Sequence, residues 1–278
     1  RMWAWSAAQR GSGLKIGLVP TMGFFHEGHL CLMRRAAELA DLVVVSLFVN
    51  PIQFGPDEDL ARYPRKLDED ISLASREGVA VLFVPDQRAM YPESPKTRVT
   101  VSGLTEGLCG RARPDHFDGV CTVVAKLFNI VKPALAVFGS KDYQQLAVIR
   151  RMVADLSWDV DIVAHPVVRA DDGLALSSRN SYLSPAERDS ALSLSKAIGT
   201  ALDMVKNGVL DADLLLAKLE KLIEMHDNVE IEYLTIVDRN DLTVQPTITE
   251  NSLLAMAVRV GKTRLIDNSL LLERNKVI

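Results

Sequence analysis

Short apolar runs rich in β-branched residues, each bounded by turn residues, recur through the first half of the chain at LKIGLVP, DLVVVSLFVNP, VAVLFVP and PALAVFGS. Runs that are apolar on both faces of an extended backbone predict fully buried strands. Between them the apolar spacing changes to a helical period over residues 28–39, 57–77, 120–131 and 142–155. Strands alternating with helices predict the α/β class: a doubly wound, Rossmann-like parallel sheet covered on both sides. A further strand is predicted near VDIVAHPVV, after which the pattern changes. DDGLALSSRN is a polar, turn-rich connector, followed by a long helix with Ser184 as N-cap, Pro185 in its first turn and Gly208 at its C-terminal end. A second helix over residues 211–226 leads into the strand-like VEIEYLTIVD and SLLAMAVRV. The expected organisation is therefore a Rossmann-like domain over residues 1–168 and a smaller α+β domain over residues 169–278, hinged near residues 169–180.

Charge alters this picture only by exclusion. A formal net charge of −4 and a pI near 5.8 provide no general attraction for nucleic acid or an anionic membrane, so an anionic ligand must be held by a local cluster. The longest apolar runs, such as LVVV, fall far short of the roughly 20 residues that span a bilayer. RMWAWSAAQR lacks the apolar core of a signal peptide. Cys31, Cys109 and Cys121 are isolated in apolar surroundings, the pattern of buried thiols in a reducing, cytoplasmic compartment rather than of a disulfide or zinc framework.

Three clusters carry candidate chemistry. In PTMGFFHEGHL, His26 and His29 sit at i and i+3 at an expected helix start directly after a strand, with Gly28 between them. Their β-carbons are about 5–6 Å apart on such a helix, and the N-terminus favours an anion. A helical zinc site has HExxH spacing, one residue longer; two structurally satisfied histidines are the remaining alternative. In FGSKDYQQ, Gly139 permits a tight turn, Lys141 offers a phosphate cation, and Asp142 caps a helix or holds magnesium through water. In LALSSRN, Ser177, Ser178 and Arg179 form a possible anion clamp at the hinge. FVNPIQF adds the amide of Gln53 at a strand's carboxyl end, and RPDHFDGV adds Arg113 and His116, a set suited to a substrate with hydroxyl and carboxylate groups.

Together PTMGFFHEGHL, VVVSLFVNPIQFGP, EDLARYPR, GVCTVVAKLFNIVKP, FGSKDYQQ, DGLALSSRN and RLIDN, in this order over residues 15–268, resemble the pantothenate synthetase family, the pantoate–β-alanine ligases. More distantly, HEGH and LSSRN resemble the nucleotide-binding signatures of class I tRNA synthetases. The resemblance implies ATP-dependent joining of pantoate to β-alanine through a pantoyl adenylate, with magnesium on the phosphates and a homodimeric assembly. It implies that Met22, Gly23, His26, Gly28, His29, Gly139, Ser140, Lys141, Asp142, Leu176, Ser177, Ser178 and Arg179 line the ATP site. The backbone at Val168 would lie near adenine, His29 would be catalytic, and Gln53 and Gln145 would hold pantoate. Attack of a carboxylate on the α-phosphate needs alignment and charge stabilisation, which His26, His29, Lys141 and Arg179 are expected to supply. Asp115 and Asp118 depart from the family pattern and are expected to add negative charge near the pantoate pocket. A nucleotidyltransferase would share HxGH but would not require FVNPIQF; a Rossmann oxidoreductase is disfavoured because no GxGxxG follows the first strand.

Overall fold

The computed structural model describes residues 1–56 and 58–272. The chain opens with α1 (Met2–Gly11), a helix outside the predicted elements, followed by β1 (Ile16–Thr21), α2 (Glu27–Leu39) and β2 (Leu42–Leu47). Next come α3 (Leu67–Arg76), β3 (Val81–Phe83) and two short helices, α4 (Gln87–Met90) and α5 (Leu108–Ala112). Then α6 (His116–Val131), β4 (Leu135–Gly139), α7 (Tyr143–Asp155) and β5 (Asp161–His165) complete the first layer.

All five strands are parallel in the order β3-β2-β1-β4-β5. Successive residues of a strand face opposite sides, so Leu18 and Val44 pack against α6 and α7, whereas Val19, Val43 and Val45 pack against α2 and Ala74 of α3. Both faces are thus buried, which is why these strands read as continuous apolar runs. The strand order reverses between β1 and β4, and the crevice at their carboxyl ends is where an open sheet takes its ligand.

One helix expectation is corrected. Of residues 57–77, Asp57 lies outside the described residues, Asp59–Ala61 form a single 3-10 turn, and the α-helix begins only at Leu67. Pro64 accounts for this, because it lacks an N–H and drives Tyr63 out of the helical region.

The second layer contains α8 (Pro185–Lys206), α9 (Ala212–Ile223) and an antiparallel sheet of β6 (Val229–Asp238), β7 (Ser252–Val260) and β8 (Thr263–Leu270). Ser184 caps α8, accepting from the Glu187 amide while the Glu187 carboxylate accepts from the Ser184 amide, a reciprocal capping box. β8 is not among the predicted strands: its Asp267 and Asn268 are polar yet buried. Asp267 accepts two bonds from Arg169 at 2.6 and 2.9 Å, and Asn268 Nδ2 donates to the carbonyls of Ser140 and Lys141, so β8 ties the connector and the end of β4 together. Residues 273–278 of the expected second domain lie outside the described residues. Cys109 and Cys121 are buried, but Cys31 is half-exposed beside Glu27 on the polar side of α2, contrary to expectation.

Candidate active site

A cleft of about 240 Å³ opens at the carboxyl ends of β1, β2 and β4. Of the residues singled out from the sequence, it brings together Met22, His26, Gly28, His29, Gln53, Gly139, Lys141, Asp142, Gln145, Val168, Leu176, Ser177, Ser178 and Arg179. Gly23 and Ser140 adjoin its lining residues in sequence without lining it themselves, while Arg113 and His116 line a neighbouring pocket that shares Lys141, Asp142 and Arg179 with it.

The histidine pair is set by the turn after β1. Gly23 and Phe24 both take left-handed backbone, with φ of +84° and +55°. His26 is the extended N-cap of α2; its N–H donates to His29 Nδ1 at 3.3 Å, leaving the proton of neutral His29 on Nε2. The two rings lie 4.1 Å apart between centroids, and His26 Nδ1 is buried with no partner among the described residues.

Burial first, and the charge of Lys141 second, lower the His26 pKa to about 4. Burial, then His26 and Lys141, lower that of His29 to about 3. Both are therefore neutral hydrogen-bonding groups at pH 7. His29 is half-buried in the cleft wall, its ring 5.6 Å from that of Phe25 between centroids. The fixed positive charge is supplied by Lys141, 4.0 Å from Asp142, and by Arg179, which donates to both oxygens of Asp59 at 3.0 and 2.7 Å.

Across the cleft, buried Gln53 donates through Nε2 to Met22 Sδ and accepts from Asn50 Nδ2 at 3.1 Å. Asn50 lines the cleft, also donates to the Gly119 carbonyl and accepts from Tyr91. It was not singled out from the sequence, although its place in FVNPIQF, three residues before Gln53, was the available signal. Arg113 and His116 hold Gln53 from behind: His116 Nδ1 is 2.8 Å from the Gln53 carbonyl, which also accepts from Arg113 at 3.3 Å. Arg113 is itself paired with Glu58. Asp115 is exposed and Asp118 half-buried, and neither lines the cleft, so their charges bear less directly on it than expected.

Among the described residues no three His, Cys, Asp or Glu side chains converge as a metal-ligand cluster. Asp142 is the one carboxylate lining the cleft among the described residues, half-exposed beside Lys141. That donor set fits magnesium held mainly by phosphate oxygens and water, which needs only one or two protein carboxylates.

What this edge of the sheet is equipped to hold is a polyphosphate, which places the protein in the class of open α/β nucleotide binders. Within that class the chain belongs to the pantoate-beta-alanine ligase family, whose model matches residues 1–270. It is 54% identical over 267 residues to the pantothenate synthetase of Heliobacterium modesticaldum, covering 96% of this chain and 95% of that one. It is 53% identical to that of Moorella thermoacetica, covering 95% and 94%. The crystal structure of pantothenate synthetase from Thermus thermophilus superposes with a TM-score of 0.92 at 44% identity over 96% of this chain and 98% of that one. Pantoate-beta-alanine ligase from Francisella tularensis, complexed with beta-gamma ATP and beta-alanine, superposes with a TM-score of 0.80 at 31% identity, covering 98% and 96%.

Proposed function

We propose that this cleft condenses pantoate with β-alanine, using ATP and giving pantothenate, AMP and pyrophosphate through a pantoyl adenylate. ATP-dependent formation of pantothenate is the reaction of the family to which the chain belongs. The assignment of roles rests on one observation: His26, His29, Lys141 and Arg179 converge on the cleft that also receives the amides of Gln53 and Gln145.

In the first half-reaction a pantoate carboxylate oxygen attacks the α-phosphorus, forming a P–O bond as the bond to the bridging oxygen of pyrophosphate breaks. Gln53, held rigid by Asn50, His116 and Arg113, orients the pantoate, with Gln145 as the second amide. The Nε2–H of His29 and an N–H of His26 donate to phosphate oxygens, and Lys141 and Arg179 stabilise the negative charge that builds on pyrophosphate. Arg179 reaches phosphate by exchanging its bond to Asp59. In the second half-reaction the free amine of β-alanine attacks the acyl carbon, the C–O bond to AMP breaks, and the amine proton leaves to solvent. Magnesium, when bound, screens charge on the phosphates, and Asp142 is the residue that would hold it. Val168 provides backbone beside the base, its carbonyl already accepting from Leu176 N–H at 2.9 Å.

Residues 169–278 act as a hinged lid over this site, and the assembly is a homodimer, as the family resemblance implies. The reading of a cytoplasmic enzyme rests on three unpaired thiols; no helix among the described residues is long and apolar enough to cross a membrane. The test is a half-reaction assay: with ATP, magnesium and pantoate the protein forms pyrophosphate, and AMP is released once β-alanine is added. AMP release that does not depend on β-alanine overturns the reading.

A further inference from the structure

We propose that Asp70 is a positioning residue for the histidine pair, its carboxylate acting as a two-pronged clamp on the amides that precede His26. Asp70 lies in the first turn of α3 yet is only 2% exposed. Its Oδ2 accepts the N–H of Phe24 at 2.8 Å and its Oδ1 accepts that of Phe25 at 2.7 Å. Among the described residues no Lys, Arg or His forms an ion pair with it, so two backbone amides alone compensate its burial. That pairing requires consecutive N–H groups to point the same way, and the left-handed Phe24, φ +55°, makes them do so. Left-handed backbone at a bulky residue persists only where its surroundings impose it. The approach is close enough to require glycine beforehand: a β-carbon at Gly23 would lie 3.0 Å from Asp70 Oδ2 and from the Leu47 side chain.

The consequence passes along the backbone. Three successive amides are pinned, those of Phe24 and Phe25 by Asp70 and that of His26 by His29 Nδ1. Asp70 thereby sets where α2 begins and the orientation of the His29 ring, without itself lining the cleft. This inference rests on the adenylating role given above to His26 and His29.

The test compares Asp70→Asn with Ala74→Gly, a destabilising control at another buried position of α3, in steady-state pyrophosphate release with β-alanine present. An asparagine offers one acceptor where two are needed, so D70N is expected to lower kcat about tenfold or more. The pantoate KM should stay within about twofold, because Gln53 is held by other groups. The control, at a matched fall in Tm, should keep kcat within about twofold of the unsubstituted protein. Phe24→Gly in the D70N background should recover part of the loss, since glycine takes the left-handed turn unaided. A kcat for D70N no lower than that of the control, or no recovery with glycine, overturns the inference. If D70N does not fold, Asp70→Glu, which keeps the charge on a longer arm, is read by the same criteria. If the unsubstituted protein forms no pyrophosphate, it is the functional reading that fails instead.

Discussion

Gly28→Ala is expected to make the protein more stable and less active. Gly28 is the second residue of α2 and its φ is not left-handed, so alanine fits the backbone and stabilises the helix by about 0.5–1 kcal/mol. The added β-carbon, however, would lie 2.9 Å from both Cε1 and Nδ1 of His26, whereas its next neighbour, Leu176 Cβ, is at a comfortable 3.7 Å. Ordinary contact begins near 3.4 Å, so the imidazole has to withdraw by about half an ångström. The withdrawal carries the ring out of its place in the cleft wall, where the His29 ring lies 4.1 Å away between centroids. If a 1 Å misplacement costs about 100-fold in rate, half that displacement costs about tenfold, or about 1.4 kcal/mol of transition-state stabilisation. The assay pairs a urea melt with steady-state pyrophosphate release at varied ATP. The expected result is a midpoint raised or unchanged, with kcat/KM for ATP reduced about tenfold. A variant with unchanged kcat/KM would refute the claim that the His26 ring over Gly28 touches the reacting phosphates.

Gly119→Ala should behave in the opposite way: its β-carbon would lie 2.6 Å from Gln53 Cα and from the Ile52 carbonyl, which are backbone and cannot swing aside. Stability should fall by about 1–3 kcal/mol in a urea melt, with the pantoate KM rising more than the ATP KM. The depressed histidines predict a pH dependence: His26, His29 and His116 stay neutral when folded down to about 4, 3 and 4, but take up protons near 6.5 when unfolded. The unfolded state therefore binds more protons below 6.5, and stability is present above that pH and lost on acidification toward 4, on the order of 1–2 kcal/mol per histidine by pH 5. Denaturation midpoints that do not move between pH 7.5 and 5 would contradict this. Arg169→Ala leaves Asp267, whose side chain is 1% exposed, without its cation; removing one partner of a buried pair costs about 3–5 kcal/mol. Urea melts should show that loss, and Asp267→Asn in the same background should recover part of it.

How much of this was legible along the chain follows from what each feature depends on. The parallel sheet was readable because a strand covered on both faces must be apolar at every position, a property of the strand alone. The cleft-lining residues were readable for a related reason: at a switch point they sit just past strand ends, so His26, Lys141 and Gln53 each follow an apolar run. The long helix after Ser184 announced itself through a cap whose chemistry is complete within four residues. Three other features were hidden because they depend on distant partners. Asp70 stands in LDEDI, where acidic residues read as favourable first-turn charges on a solvated helix; its inward turn is decided by a loop 45 residues away. β8 is obscured by Asp267 and Asn268, polar residues that are buried only because Arg169 and the carbonyls of Ser140 and Lys141 satisfy them. Asp59 and Glu58 looked like part of a helix, and instead hold Arg179 and Arg113.

The hidden features share a physical cause. A side chain that faces a ligand is selected by its own chemistry at its own position, whereas one that holds it in place is selected by the distance to a backbone group elsewhere. Short motifs can carry the first kind of information and cannot carry the second. In this protein the division is sharp. Most of the cleft's polar lining comes from strand-end segments, but Asp70 on α3 accepts from the Phe24 amide, Asn268 on β8 donates to the Lys141 carbonyl, and Asp59 in the loop before α3 pairs with Arg179 from the connector. Substitutions in the holding set should therefore lower turnover while leaving the cleft's chemical inventory intact, the pattern that separates loss of alignment from loss of a contact.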